Sequence, residues 1–294
     1  MGEGVKGEGV KGKNTPSPPR PGDRVGVRGF THSLVHSFTS FCGGWLLAIS
    51  VASAAEPPQK PTPLKSGIEF ASADVRAMQQ DDFANPGMLW VARGEKLWSE
   101  PAGKSGKACA ACHADAATSM KGVSTRYPRL DPGTAQLVNL EGRINLCRER
   151  NQGAEPLKYE SDELLALTAY VAHQSRGMPV AITVDWQNRQ HFERGRDYYS
   201  RRHGQMNLSC AHCHDKNWGR KLLAETISQG HGNDFPAYRL EWQTMGSLHR
   251  RFRSCLYGIR AEMPPAGSQA FLDLELFVAW RASGLPVESP GVRR

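Results

Sequence analysis

Two five-residue clusters, Cys109-Ala110-Ala111-Cys112-His113 and Cys210-Ala211-His212-Cys213-His214, each bring two thiols and an imidazole within about one helical turn. Thiols at that spacing can form thioethers to one porphyrin while the histidine binds its iron, the pattern of c-type haem attachment. A single match is compatible with chance or with a zinc ligand set. Two complete copies in one chain point instead to two covalently held haem c groups. Cys109 and Cys112 would hold the first porphyrin and Cys210 and Cys213 the second, with His113 and His214 on the irons. The chemistry is then electron transfer or redox catalysis, with the protein tuning potential and access.

The other ligand of each iron decides between these. Of the seven cysteines, four belong to the clusters and Cys42 lies in an apolar leader, which leaves Cys147 and Cys255. Met263-Pro264 competes with Cys255 for the second iron, because it lies 49 residues after His214, a reasonable place for the methionine of an electron carrier. The matching run of the first half, Ala154-Glu155-Pro156, has no methionine, whereas a lone cysteine stands in both halves. Thiolate ligation by Cys147 and Cys255 is therefore the economical choice, with Met263 as a packing residue. A Cys147–Cys255 disulfide is the structural alternative, since exported proteins commonly carry one. Equivalent positions of two repeats would meet, however, only near the axis relating them.

Cys255 follows Arg250, Arg251 and Arg253. Nearby cations lower a thiol's pKa and expose the reactive thiolate, and arginine's planar fork suits an oxyanion. If Arg251 opens a helical turn ending at Cys255, the i, i+4 spacing puts both side chains on one face. A solvated surface or contacts with haem propionates are the alternatives for any one of these arginines. Arg143, four residues before Cys147, is assigned to propionate pairing or packing.

These residues need helices to hold them, and the chain reads as an internal duplication. Cys109 and Cys210 are 101 positions apart, as are Gly94 and Gly195. Arg143-x-x-x-Cys147 recurs as Arg251-x-x-x-Cys255 at an offset of 108, and Gly177-Met178-Pro179-Val180 as Gly284-Leu285-Pro286-Val287 at 107. Apolar residues at a near-3.6 period predict a helix over Met88–Trp98, repeated around Phe192–Tyr199. Ser161 caps a second predicted helix running to Val171, repeated from about Ser268 to Ala282, with Phe277 aligned to Tyr170. A glycine on the first helix would let the last cross closely. The expected fold is all-α, a tandem pair of cytochrome c-like domains over residues 56–180 and 181–294.

Residues 1–55 read as an N-terminal extension and secretory signal. Arg24 and Arg28 precede an apolar stretch from Phe38 to Val51, and Ala52-Ser53-Ala54-Ala55 supplies a small-residue cleavage site. The stretch is short of the ~20 residues that span a bilayer. Residues 56–294 hold 31 Lys and Arg against 26 Asp and Glu, a surplus that weakly favours an anionic substrate or acidic partner. No basic run with interleaved aromatics suggests nucleic acid.

Duplicated cytochrome c domains, each with Cys-x-x-Cys-His and a later lone cysteine, resemble the SoxA family, the larger subunits of the SoxAX cytochromes of bacterial sulfur oxidation. The resemblance spans residues 56–294, and Arg251-Phe-Arg-Ser-Cys255 is its most specific part. It implies a periplasmic dihaem L-cysteine S-thiosulfotransferase. His113 and Cys147 would ligate the first iron, and His214 and Cys255 the second. Cys255 would be the active-site cysteine, carried as a persulfide, and Arg251 would contact thiosulfate. The implied partners are a SoxX-like monohaem cytochrome, forming a heterodimer, and a SoxYZ-like carrier whose cysteine accepts the sulfur group. Two other classes compete: a dihaem electron carrier using Met263, with Met120 or Met178 in the first half, and a dihaem peroxidase with one open iron.

Overall fold

Apolar side chains at a helical period form the helices the sequence predicts. In the computed structural model, which describes residues 60–294, α1 spans Ala73–Gln80 and α2 Met88–Ser99. The first attachment cluster makes the short α3, Ala110–His113, followed by α4, Ala116–Ser119. Strands β1, Arg129–Leu130, and β2, Leu137–Val138, form an antiparallel ribbon leading into α5, Leu140–Cys147, and a π-helical turn over Arg148–Gln152. Helix α6 spans Asp162–His173, and the Ser161 hydroxyl accepts from Leu164 N–H, the cap expected there.

The second half follows the same order. Helix α7 spans Arg189–Ser200 and α8 the second cluster, Cys210–His214. A hairpin of β3, Lys221–Leu222, and β4, Glu225–Thr226, precedes the ribbon of β5, Ala237–Arg239, and β6, Thr244–Gly246. Helices α9, Leu248–Gly258, and α10, Gln269–Arg281, complete it, and the terminal strand β7, Gly291–Arg293, pairs parallel with β5. Helix dominates, but these seven short strands amend the all-α expectation. At two or three residues each they are too short to show an alternating pattern, and all three residues of β5 are buried.

Helix α2 packs on α6 and α7 on α10. The expected glycines stand at both crossings: a Cβ at Gly94 would collide with the Ala166 carbonyl, and one at Gly195 with the Asp273 carbonyl. Tyr170 and Phe277 lie beside those contacts. Phe192, Tyr199, Phe271 and Phe277 fill the core of the second half, and Trp98, Leu140 and Val171 that of the first.

Hydrogen bonds recur at the sequence offsets. Trp98 Nε1 donates to Ala114 O at 3.0 Å after the first cluster, and Tyr199 O–H to Asp215 at 2.9 Å after the second. The described residues all lie within one compact unit, Pro57–Arg294. Reciprocal bonds tie its halves: Gly177 N–H donates to Val287 O at 2.8 Å, and Gly284 N–H to Val180 O at 2.9 Å. The expected signal and its cleavage site lie outside the described residues. Among the described residues no helix is long and apolar enough to cross a membrane.

Candidate haem and sulfur site

Helix α8 begins at a reciprocal cap. Ser209 and His212 bond one another, with Ser209 Oγ 2.6 Å from His212 Nδ1. That cap starts the turn that brings Cys210, Cys213 and His214 together. His214 Nδ1 lies 2.8 Å from Ser228 O. A carbonyl only accepts, so Nδ1 carries the proton and Nε2 is left with the lone pair an iron needs. Gly230 closes the other side of the ring: with φ at +72°, its place for a Cβ is 2.6 Å from His214 Cγ.

Ser247 caps α9 by accepting from Arg250 N–H, and one turn of that helix separates Arg251 from Cys255. The Cys255 sulfur faces the His214 imidazole closely enough for the ring to act on its ionisation. Burial opposes its ionisation, but Arg251, the His214 contact and Arg239 more than offset this, and its pKa falls to about 6. Arg251 is held fully charged chiefly by that thiolate. The Cys210 thiol is the converse case, pushed up to about 12 by burial first and by Cys255 second. An un-ionised thiol pair, a histidine of fixed tautomer and a thiolate facing it fit a haem held through Cys210 and Cys213 and ligated by His214 and Cys255. Met263 is 37% exposed, on the surface beyond α9.

The first cluster is more open. Cys109 and Cys147 are half-buried, and Cys112 and His113 are exposed. The His113 ring lies against Trp98, with centroids 5.7 Å apart. Burial raises the Cys109 thiol, while Arg148 and a Gln152 side-chain contact at 3.8 Å pull the other way. Cys147 adds to the upward shift, so it stands close enough to act on Cys109. Arg143 is ion-paired: Nη1 is 2.9 Å from Asp131 Oδ1, and Arg150 Nη2 is 3.0 Å from Asp131 Oδ2. The Arg150 hydrogen bond is the main cause holding the Asp131 carboxyl down at about 2. Cys147 and Cys255 are both free thiols, not a disulfide.

Comparison with known proteins separates the sulfur enzymes from other cytochromes c. Over 78% of its length the chain is 46% identical to the L-cysteine S-thiosulfotransferase subunit SoxA of Pseudaminobacter salicylatoxidans, spanning 80% of that protein. The chain belongs to the SoxA family. The SoxA subunit of Rhodovulum sulfidophilum is 36% identical over 86% of the chain and 95% of its own length. The crystal structure of SoxXA from P. pantotrophus matches with a TM-score of 0.76 at 38% identity, covering 79% of this chain and 87% of that one. A family model for the SoxA/TsdA cytochrome c domain matches residues 93–180, which include the first attachment cluster and Cys147. As a cytochrome c of the SoxA family, the chain carries covalently bound haem c.

Several residues around the SoxA site were not singled out in the sequence. Ser228 and Gly230 orient His214 from a stretch with no periodic pattern. Arg281, 2% exposed, donates to Asp215 at 2.7 Å and stacks over Tyr199, steadying the end of α8. Arg239, 4% exposed on β5, acts on both Cys255 and Arg251. Burial first and Arg251 second bring its own pKa down to about 10. The one available signal for Arg239 is the repeat offset, which carries Asp131 onto it.

Proposed function

We propose that this chain is a dihaem SoxA that joins thiosulfate oxidatively to a carrier-protein cysteine, with Cys255 as the reacting sulfur. Cys109 and Cys112 would hold one haem through thioethers, with His113 and Cys147 to ligate its iron. Cys210 and Cys213 would hold the other, with His214 and Cys255 to ligate its iron. Each belongs to one cytochrome c-like domain, residues 56–180 and 181–294. Residues 1–55 carry the signal for export to the periplasm, where a SoxX-like cytochrome completes the heterodimer. The observation that carries this reading is the Cys255 thiolate set between His214 and Arg251.

Arg251 binds the sulfonate end of thiosulfate and turns its outer sulfur toward Cys255. The two sulfurs bond as two electrons leave, turning a thiolate and a dianion into one S-thiosulfonate monoanion. Haem c bound at His214, with a second in the partner cytochrome, supplies the sink for those two electrons. The thiolate of a SoxYZ-like carrier then attacks the sulfur bonded to Cys255. The thiosulfonate leaves on the carrier, and the Cys255 thiolate returns with no further change in oxidation state.

Electron paramagnetic resonance of the ferric protein beside Cys255→Ala, with a thiosulfate conjugation assay on the same samples, tests this. Expected are low-spin signals of thiolate ligation, one of them lost in the variant together with conjugation. Histidine–methionine signals unchanged by the substitution would return the chain to a plain electron carrier.

A further inference from the structure

The two halves carry opposite charges at one pair of equivalent positions beside their lone cysteines, Asp131 and Arg239. The ribbons β1/β2 and β5/β6 pair in the same register: Leu130 stands opposite Leu137, and Tyr238 opposite Met245, each 108 positions on. The same offset carries Asp131 onto Arg239 and Arg143 onto Arg251. In the first half the buried Asp131 carboxylate accepts from Arg143 at 2.9 Å, so the cation one turn before Cys147 is already paired. In the second half an arginine takes the place of that carboxylate.

Arg239 is poorly satisfied by the protein. Its side chain is 5% exposed, and its Nε is buried with no hydrogen-bond partner. The nearest carboxylates, Glu241 at 3.7 Å and Glu225 at 4.0 Å, lie beyond hydrogen-bonding distance. Trp242 holds it in place: the Arg239 guanidinium is 5.1 Å and that of Arg250 4.4 Å from the same indole ring. The repeat equivalence turns Arg239 toward Arg251 as Asp131 is turned toward Arg143, and a buried guanidinium with an idle donor there favours an anion in addition to the Cys255 thiolate.

We propose that Arg239 and Arg251 together bind the sulfonate group of the substrate, and that the change from carboxylate to guanidinium at this position confines the anion to the second half. Three sulfonate oxygens offer acceptors to two planar forks of donors. Asp131 explains why Cys147, with its own arginine one turn away, lacks such a site. That the anion is thiosulfate rests on the conjugation reading above.

The test uses the holo-complex and Arg239→Gln, Arg239→Asp and Arg239→Lys, with thiosulfate and sulfite binding measured by calorimetry beside conjugation kinetics. Losing one charge-assisted contact should weaken binding of both anions roughly tenfold to a hundredfold in Arg239→Gln and raise KM more than it lowers kcat. Arg239→Asp, which gives Arg251 the partner Arg143 already has, should abolish binding. Arg239→Lys should retain most of it. A thiolate-type low-spin resonance retained in each variant, with the haem content of wild type, shows that the pocket is assembled. Should Arg239→Asp not assemble, the comparison of Lys with Gln decides. Wild-type binding and KM in Arg239→Gln would overturn the inference and leave the conjugation reading standing. Anion binding that depends on Arg239 in a protein that conjugates nothing would do the reverse. A wild-type protein that binds neither anion would overturn the inference outright.

Discussion

At the scale of single residues, the orientation of His214 depends on two neighbours that do no chemistry. The Ser228 carbonyl sets its tautomer and Gly230 leaves room for its ring. Gly230→Ala puts a methyl group 2.6 Å from the ring at a positive φ that L residues rarely adopt. We expect it to cost about 1–3 kcal/mol and to shift the low-spin resonance of the haem proposed at His214, while the pyridine haemochrome spectrum still gives the haem content of wild type. An unchanged resonance would mean that the ring has slack. The cysteines and histidines proposed to ligate and to react could be read from the sequence because that chemistry restricts them to few types at fixed spacings. Ser228 and Gly230 were not, since a carbonyl belongs to every residue and a lone glycine has many uses. Arg239 was hidden by its neighbours in sequence: between Tyr238 and Leu240 nothing marks it as a cation facing Cys255.

At the scale of elements, the same device positions both clusters. A helix that leads into each Cys-x-x-Cys-His segment crosses the helix that follows each lone cysteine, Cys147 or Cys255, at a glycine with no room for a side chain. Gly195→Ala would force α7 away from α10 and so displace Tyr199, whose hydroxyl holds Asp215 at the end of α8. Overpacking of this kind costs about 1–3 kcal/mol, and the expected result is a lower melting temperature of the holo-protein for Gly195→Ala and for Gly94→Ala. A melting temperature that does not move in either would show that the helices can separate freely. These helices were readable because several turns of one face repeat at a helical period and two glycines recur at one offset. The strands were not, because two or three residues carry no period, and the β5–β7 pairing joins segments some fifty positions apart that only tertiary packing brings together.

At the scale of the whole molecule, the halves meet over a buried polar cluster built from equivalent helix starts. Glu141 on α5 and His249 on α9 are 108 positions apart, the offset of Cys147 and Cys255. Glu275 joins them, accepting from Asn139 at 3.1 Å and lying 2.9 Å from His249 Nε2, while the Tyr159 ring stacks on His249. Burial, and then the charge of Glu275, pushes the Glu141 carboxyl up to about 8. A carboxyl raised above its unfolded value of about 4.3 stabilises the fold fully below that value. The contribution is lost as pH climbs toward 8. His249 runs the same way. Burial works against its charge, but the Glu275 carboxylate, 2.9 Å from Nε2, raises its pKa, so its contribution too is complete below its ordinary value and fades as pH rises past the raised one. Both groups therefore make the junction weaker in alkali, and they sit on the two helices that carry Cys147 and Cys255. Glu141→Gln keeps the shape and removes the proton to be lost. Its melting temperature relative to wild type should rise from pH 5 to about pH 8 and level off above that. Parallel curves for the two proteins would mean that Glu141 ionises in the folded state as freely as it does in water, and that the junction has no alkaline weakness at this residue.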